Sequence, residues 1–192
     1  MFDELITPPV SELLDVTDLK TYLRVDPDLS DDDALIASLI AAGRVKIEDY
    51  LGYALTTQTR RLTLSAWPRS YDLSLPRPPL QGVSSVLYGP DDTPLDPAGY
   101  RVDTHQRPGR MALVDGASWP DAPPGAPGIR ITYICGFIDL ATLPPVFVTA
   151  WRLLVAHWYE NREAAVASTV RRAEVEKVPY GVEYLLDPYR IV

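Results

Sequence analysis

The sequence predicts an α+β fold, in which helices near both ends of the chain flank an inserted, antiparallel β-rich lobe. Two observations predict it. Of the 19 prolines, 14 lie between Pro68 and Pro145, while residues 28–67 and 146–178 have none. Apolar residues recur at helical spacing in the flanking parts and alternate with polar ones between them. Because proline breaks helices and is excluded from central strand positions, we expect a helical part, residues 1–55 and 141–192, and a β-rich lobe, residues 56–140.

Two helices are predicted before the lobe. Thr17 can cap a short helix that ends at about Leu23. Ser30 and Asp33 have the spacing of a capping box, and acidic residues suit the positive end of a longer helix. Gly52 is a natural stop for that helix. Its apolar residues recur at three- and four-residue intervals: Leu35, Ile36, Leu39, Ile40, Ile47 and Leu51.

The middle of the chain predicts short strands separated by turns rich in proline, glycine and aspartate. Frequent turns between short strands favour a small antiparallel sandwich or barrel-like lobe. The six predicted strands are residues 57–66, 71–75, 83–88, 100–104, 110–114 and 129–135.

A second long helix is predicted to begin at Pro144 and Pro145, because the first turn of a helix tolerates proline. A short helix between Pro179 and Pro188 ends the chain. The two long helices supply apolar faces that we expect in the core or between subunits. The residues assigned to these faces are Leu35, Leu39, Ile40, Trp151, Leu154, Val155, Trp158 and Tyr159.

Charge and composition exclude several classes of protein. The net charge is −8, and residues 1–52 hold 4 Lys/Arg against 12 Asp/Glu. Tight wrapping of DNA needs a cationic surface, so it is not expected, although a protein that only surrounds DNA is compatible. No apolar run approaches the ~20 residues that cross a bilayer, and the amino terminus lacks a signal-peptide pattern. We expect a soluble, intracellular protein with no membrane contact, in which the lone Cys135 forms no internal disulfide.

The stretch "LLVAHWYENREA" (153–164) contains the strongest candidates for chemistry. His157 and Glu160 are three residues apart on a predicted helix, a spacing that suits a metal or an acid–base pair. A zinc site needs a third ligand, however, and the only other histidine, His105, lies in a Pro/Gly-rich turn. The stretch therefore favours a packing helix with a charged end.

Other motifs also favour structural roles. In "DPDLSDDD" (26–33), Asp31 stands where a calcium loop requires glycine and Ala37 where it requires glutamate. "GVSSV" (82–86) lacks the second glycine of a nucleophile elbow, and no phosphate- or dinucleotide-binding loop is present. We expect no catalytic residue, no metal and no cofactor.

The carboxyl-terminal segment is rich in aromatic residues: Tyr180, Tyr184 and Tyr189 accompany Leu185, Leu186 and Ile191. Chain ends usually fray unless something holds them. The segment can dock on its own subunit, or it can bind a partner, since tyrosine and arginine are favoured at interfaces. The composition leaves both alternatives open.

Several motifs, in their order along residues 6–190, resemble the head–tail connector (adaptor, or head-completion) proteins of long-tailed bacteriophages and gene transfer agents. They include "LKTYLRVD", "DDALIASLIAAGR", "YLGYALTTQT", "LPRPPLQGVSSVLY", "AHWYENRE" and "PYGVEYLLDPYR". The resemblance implies a helical connector-type core with a β-rich insertion. It also implies a ring of twelve copies in the neck of a virion or gene-transfer-agent particle, made in the bacterial cytoplasm.

The partners that the resemblance implies are the portal protein, a neck or tail-completion protein, and further copies of this chain. Double-stranded DNA would pass through the ring without sequence-specific binding. The resemblance assigns portal binding to the terminal residues and leaves the role of residues 165–178 open. The residues assigned to portal binding are Pro179, Tyr180, Gly181, Val182, Tyr184, Leu185, Leu186, Pro188, Tyr189 and Arg190.

Two other functions are compatible with the sequence. One is a hydrolase-type enzyme with its site in the β-rich lobe, which would need convergent acid, base or metal groups. The other is a monomeric scaffold that binds a protein partner through that lobe. A protein that stays monomeric even when mixed with portal would favour these alternatives.

Overall fold

A computed structural model describes residues 1–121, 128–161 and 180–191, without the side chain of Tyr180. The chain divides into two compact units. One comprises Met1–Val10 and Tyr53–Ile138, and the other comprises Ser11–Gly52 and Asp139–Val192. The first contains antiparallel sheets and the second contains helices, so the predicted α+β fold class is confirmed.

The described part of the β-rich unit contains eight strands in two antiparallel sheets. The larger sheet has the order β1–β2–β8–β4–β5, and the smaller has the order β3–β7–β6. The strands are β1 (Phe2–Thr7), β2 (Gln58–Leu64), β3 (Asp72–Leu75), β4 (Leu80–Tyr88), β5 (Thr93–Pro94), β6 (Tyr100–Asp103), β7 (Gly109–Leu113) and β8 (Ile129–Cys135). All six predicted strands are present, while β1 and β5 were not predicted.

The core of the β-rich unit follows from the two-residue period of its central strands. Every second residue of β2 and β8 is buried, and Leu62 lies opposite Ile131 in the antiparallel register. Gly136 follows β8 with φ +105°, and a Cβ atom there would lie 2.2 Å from the carbonyl oxygen of Thr56. Only glycine fits both the backbone angle and this close approach.

Strand β1 belongs to the larger sheet, although residues 1–55 were predicted to belong to the helical part. β1 pairs with β2 along the edge of the larger sheet. The carboxylate of Asp3 accepts hydrogen bonds from Arg60 Nε at 2.8 Å and from the Tyr133 hydroxyl at 2.8 Å. These contacts hold the first residues of the chain on a strand that lies more than fifty positions later.

The helical unit contains α1 (Val16–Leu23), α2 (Asp33–Leu51), α3 (Pro145–Glu160) and α4 (Tyr180–Leu186), and a 3-10 turn follows at Asp187–Tyr189. Gly52 ends α2 with φ +76°, as predicted. The predicted caps are wrong. Asp15, not Thr17, caps α1 by accepting a hydrogen bond from the Asp18 amide. The residue before α2 is Asp32, which makes no side-chain cap.

Helices α2 and α3 pack around Trp151, which is fully buried. Its indole nitrogen donates a hydrogen bond to the Ile40 carbonyl oxygen at 2.9 Å. Gly43 leaves room for the ring, since a Cβ atom there would lie 3.0 Å from it. Arg152 adds a bidentate ion pair to Asp18, at 3.0 and 2.7 Å, which ties α3 to α1.

Candidate interaction surfaces of the helical unit

The terminal segment, residues 180–191, docks on its own helical unit. Val182 and Leu186 lie one helical turn apart on α4 and are completely buried. Beyond α4, the ring of Tyr189 meets Phe147 edge-on, with 5.3 Å between centroids. The Ile191 amide donates a hydrogen bond of 2.9 Å to the carbonyl oxygen of Leu51. One face of the segment therefore docks on its own subunit, which is the first of the two alternatives left open by the sequence.

A polar cluster also holds the segment. The hydroxyl of Tyr50 donates a hydrogen bond to Asp187 Oδ1, and the Arg190 guanidinium lies 5.3 Å from the centroid of the Tyr50 ring. The hydrogen bond to Asp187 raises the pKa of Tyr50 to about 12, with smaller contributions from desolvation and nearby carboxylates. Tyr50 is thus a neutral donor at physiological pH.

The opposite face of the terminal segment faces solvent. Tyr184 is 72% exposed, and Gly181, Pro188 and Arg190 are exposed as well. Leu185 is half-buried. Val182 and Leu186 serve as internal anchors in this conformation, so the surface available to a partner is smaller than the sequence predicted. Pro179 and the side chain of Tyr180 lie outside the described residues.

The predicted packing residues divide into two groups. Ile40, Trp151, Leu154 and Val155 are buried. The other four are only half-buried: Leu35, Leu39, Trp158 and Tyr159. Tyr159 donates a hydrogen bond from its hydroxyl to Asp32 Oδ2 at 2.6 Å. The half-buried group retains partly exposed apolar surface.

The acidic stretch at residues 26–33 is organised around a lysine. Lys20 is almost completely buried, with 4% of its surface exposed. Its ammonium donates hydrogen bonds to the carbonyl oxygens of Leu29 at 2.6 Å and Pro27 at 3.3 Å, and pairs with Asp33 Oδ1 at 2.5 Å. Lys20 was not among the residues predicted from the sequence. A lysine near the end of a helix that precedes an acidic loop was the available signal.

The His157–Glu160 pair lies at the end of α3 beside an open groove. His157 Nδ1 is 3.4 Å from Asn161 Nδ2, which donates to the His157 carbonyl oxygen at 2.8 Å. The groove has a volume of about 550 Å³. It is lined by Tyr22, Leu23, Arg24, Leu153, Ala156, His157, Glu160, Gly181 and Val182.

Within residues 1–121, 128–161 and 180–191, no group of three or more His, Cys, Asp or Glu side chains could hold a metal ion. A search of the same residues finds no helix with the length and apolar character needed to cross a membrane.

The partly covered apolar surfaces of the helical unit are typical of a subunit of a larger assembly. The profile of the head completion protein family matches residues 12–192. The chain therefore belongs to the head completion protein family. A comparison with curated protein sequences gives no match.

Three solved structures resemble the chain over almost its whole length. A chain in the neck of an empty gene transfer agent (GTA) particle, computed with C6 symmetry, has a TM-score of 0.81 and 28% identity. A chain in the virion of a native gene transfer agent particle has a TM-score of 0.79 and 27% identity. Both comparisons cover 100% of this chain and 96% of the other. A chain in the neck of a native GTA particle, computed with C12 symmetry, has a TM-score of 0.70 and 26% identity. That comparison covers 98% of this chain and 96% of the other.

Proposed function

We propose that this protein is a structural adaptor that forms a ring below the portal, extends the DNA channel and joins the DNA-filled head to the neck and tail. The observation that carries the proposal is the likeness to neck chains over 100% of this chain and 96% of theirs. The C12 symmetry of one of those necks supports a ring of twelve copies. The protein would reside in the neck of a virion or gene-transfer-agent particle.

The exposed face of the terminal segment is the proposed portal contact. Tyr184 and Arg190 belong to the residue types that dominate the energy of protein interfaces. The buried anchors Val182 and Leu186 hold this face in place before a partner arrives, which lowers the ordering cost of binding. The tail-side partner would be a neck or tail-completion protein on another surface of the ring.

The charge distribution supports passage of DNA without tight binding. The helical unit, Ser11–Gly52 with Asp139–Val192, has 10 Lys/Arg and 17 Asp/Glu, so 10 − 17 gives −7 of the total −8. Protein affinity for duplex DNA depends on cations that neutralise its phosphates. An acidic helical unit would let double-stranded DNA slide past without sequence-specific contacts.

We also propose that the protein acts by contact and turns over no substrate. Three of its described titratable groups have structural roles: Lys20 holds a loop, Tyr50 holds the terminal segment, and Arg60 holds β1. This argues against the hydrolase-type alternative, and the family argues against a monomeric scaffold unconnected with head completion.

The test is a complementation experiment with DNA-filled, portal-bearing heads made without this protein. Adding the purified chain should restore tail attachment, counted by negative-stain electron microscopy. A second sample should receive the chain after heat denaturation, as the matched control. Heads that acquire tails equally well without the native chain would contradict the proposed function.

A further inference from the structure

Helix α2 is apolar on its outer side as well as on its inner side. Ile40 and Gly43 face Trp151 on the inner side. Between Asp33 and Lys46 the only ionisable residue is Arg44, and it is buried. The outer side over these three turns consists of exposed Ala34, Ala37, Ser38, Ala42 and Val45, with half-buried Leu35 and Leu39. A helix at a protein surface normally carries charged residues on its outer side, and one that is apolar all round is covered on both sides.

Helix α3 carries a different surface, part apolar and part charged, on the side away from α2. Trp151 marks the side of α3 that meets α2. With 3.6 residues per turn, Leu153, Ala156 and Glu160 project from the opposite side. These three residues line the groove of about 550 Å³, together with Tyr22 from α1. The helical unit thus presents two unlike patches on opposite sides: the apolar outer side of α2, and the α3 groove, whose lining is part apolar and part charged.

We infer that the outer side of α2 in one copy docks into the α3 groove of the next copy. The inference rests on the proposed ring and adds the contact that would build it. A ring needs head-to-tail interfaces, in which each subunit contributes two different patches, whereas a two-fold dimer uses one patch twice. Two unlike patches on opposite sides of one unit meet the requirement of a ring.

One charge at the edge of each patch is complementary to the other. Lys46 lies at the carboxyl-terminal end of the apolar outer side of α2 and is exposed. Glu160 lines the groove and is exposed too. The orientation that places Lys46 near Glu160 of the next copy pairs these opposite charges. Complementary edge charges help to fix the register of an interface, so this pair favours a second copy of this chain as the occupant.

Cysteine cross-linking tests the contact on assembled particles. The only native cysteine, Cys135, is buried, so new cysteines can be placed at exposed positions with little background. A chain with both Ala42→Cys and Leu153→Cys is incorporated into portal-bearing heads and treated with a short bismaleimide. Denaturing electrophoresis should then show a ladder of trimers and larger species, because each copy is linked to neighbours on both sides.

Matched controls separate this contact from others. Ala141 is exposed in the loop before α3, outside both patches, so Ala42→Cys combined with Ala141→Cys should remain monomeric, as should Ala42→Cys alone. A dimer from Ala42→Cys alone would overturn the inference, because it would indicate a two-fold contact. Absence of a ladder from the first pair, with the chain present on the particles, would also overturn it and leave the proposed function standing. Absence of the unsubstituted chain from particles would contradict the proposed function itself.

Discussion

The terminal helix α4 offers a direct test of the two-faced arrangement, because Leu186 and Tyr184 lie two residues apart and face opposite environments. Leu186 has no exposed surface, and Tyr184 is 72% exposed. Leu186→Ala removes a fully buried side chain and should cost about 2–5 kcal/mol. Tyr184→Ala removes a side chain that touches little of its own subunit and should change the free energy of unfolding by less than about 0.5 kcal/mol.

The loss of stability caused by Leu186→Ala should appear first in the terminal segment. Burial of one leucine or valine side chain contributes about 1.5–3 kcal/mol, and Val182 and Leu186 are the two fully buried residues among the described part of the segment. Losing one anchor should undock residues 180–191 before the rest of the helical unit unfolds, since opening of a terminal element costs less than global unfolding. Hydrogen exchange followed by mass spectrometry measures this local opening, and urea titration measures the free energy of global unfolding.

The functional readout is binding to portal-bearing heads by co-sedimentation. Tyr184→Ala should bind poorly although it is as stable as the native chain. Tyr71→Ala is the matched control, because Tyr71 is 75% exposed in the β-rich unit. The reasoning is refuted if Leu186→Ala leaves exchange in the segment unchanged, or if Tyr184→Ala and Tyr71→Ala bind heads equally well.

Three further predictions follow from buried or paired groups. Trp151→Ala should cost about 3–5 kcal/mol because Trp151 is fully buried, and Trp158→Ala should cost less because Trp158 is half-buried; urea titration compares them, and equal losses would contradict the packing. Lys20→Met should cost about 1–3 kcal/mol because the carbonyl oxygens of Pro27 and Leu29 lose their donor, and an unchanged midpoint in urea titration would contradict the role of that ammonium. The pKa of Tyr50 is about 12 in the folded protein and 10 ordinarily. Its contribution to the free energy of unfolding is therefore complete below pH ~10 and is lost as the pH rises towards ~12. The stability of Tyr50→Phe should therefore fall less than that of the native chain between pH ~10 and ~12 when the free energy of unfolding is measured across this range. Identical pH profiles of the two proteins would contradict the pairing with Asp187.

Much of the fold was predictable because its signals are local. The helical spacing of α2 and α3, the alternation of β2 and β8, and the stop at Gly52 are all contained in short windows of sequence. Strand β1 was not predictable in this way. Its residue Asp3 is satisfied by Arg60 and Tyr133, and no local pattern indicates a partner so distant in the chain.

The interaction surface was predictable only in outline. The sequence identified an apolar terminal segment and left open whether it binds its own subunit or a partner. The four-residue spacing of Val182 and Leu186 indicates one apolar face, but only the positions of the neighbouring helices reveal that this face is buried. Trp151 and Trp158 share a predicted face, yet Trp158, two residues before the end of α3, is only half-buried. Burial depends on three-dimensional neighbours that spacing does not specify.

Cryo-electron microscopy of the neck of particles that contain this chain tests the central claim most directly. The account predicts a ring of twelve copies around the DNA axis, with the face that bears Tyr184 against the portal. A single copy per particle, or a ring whose terminal segments face away from the portal, would contradict it.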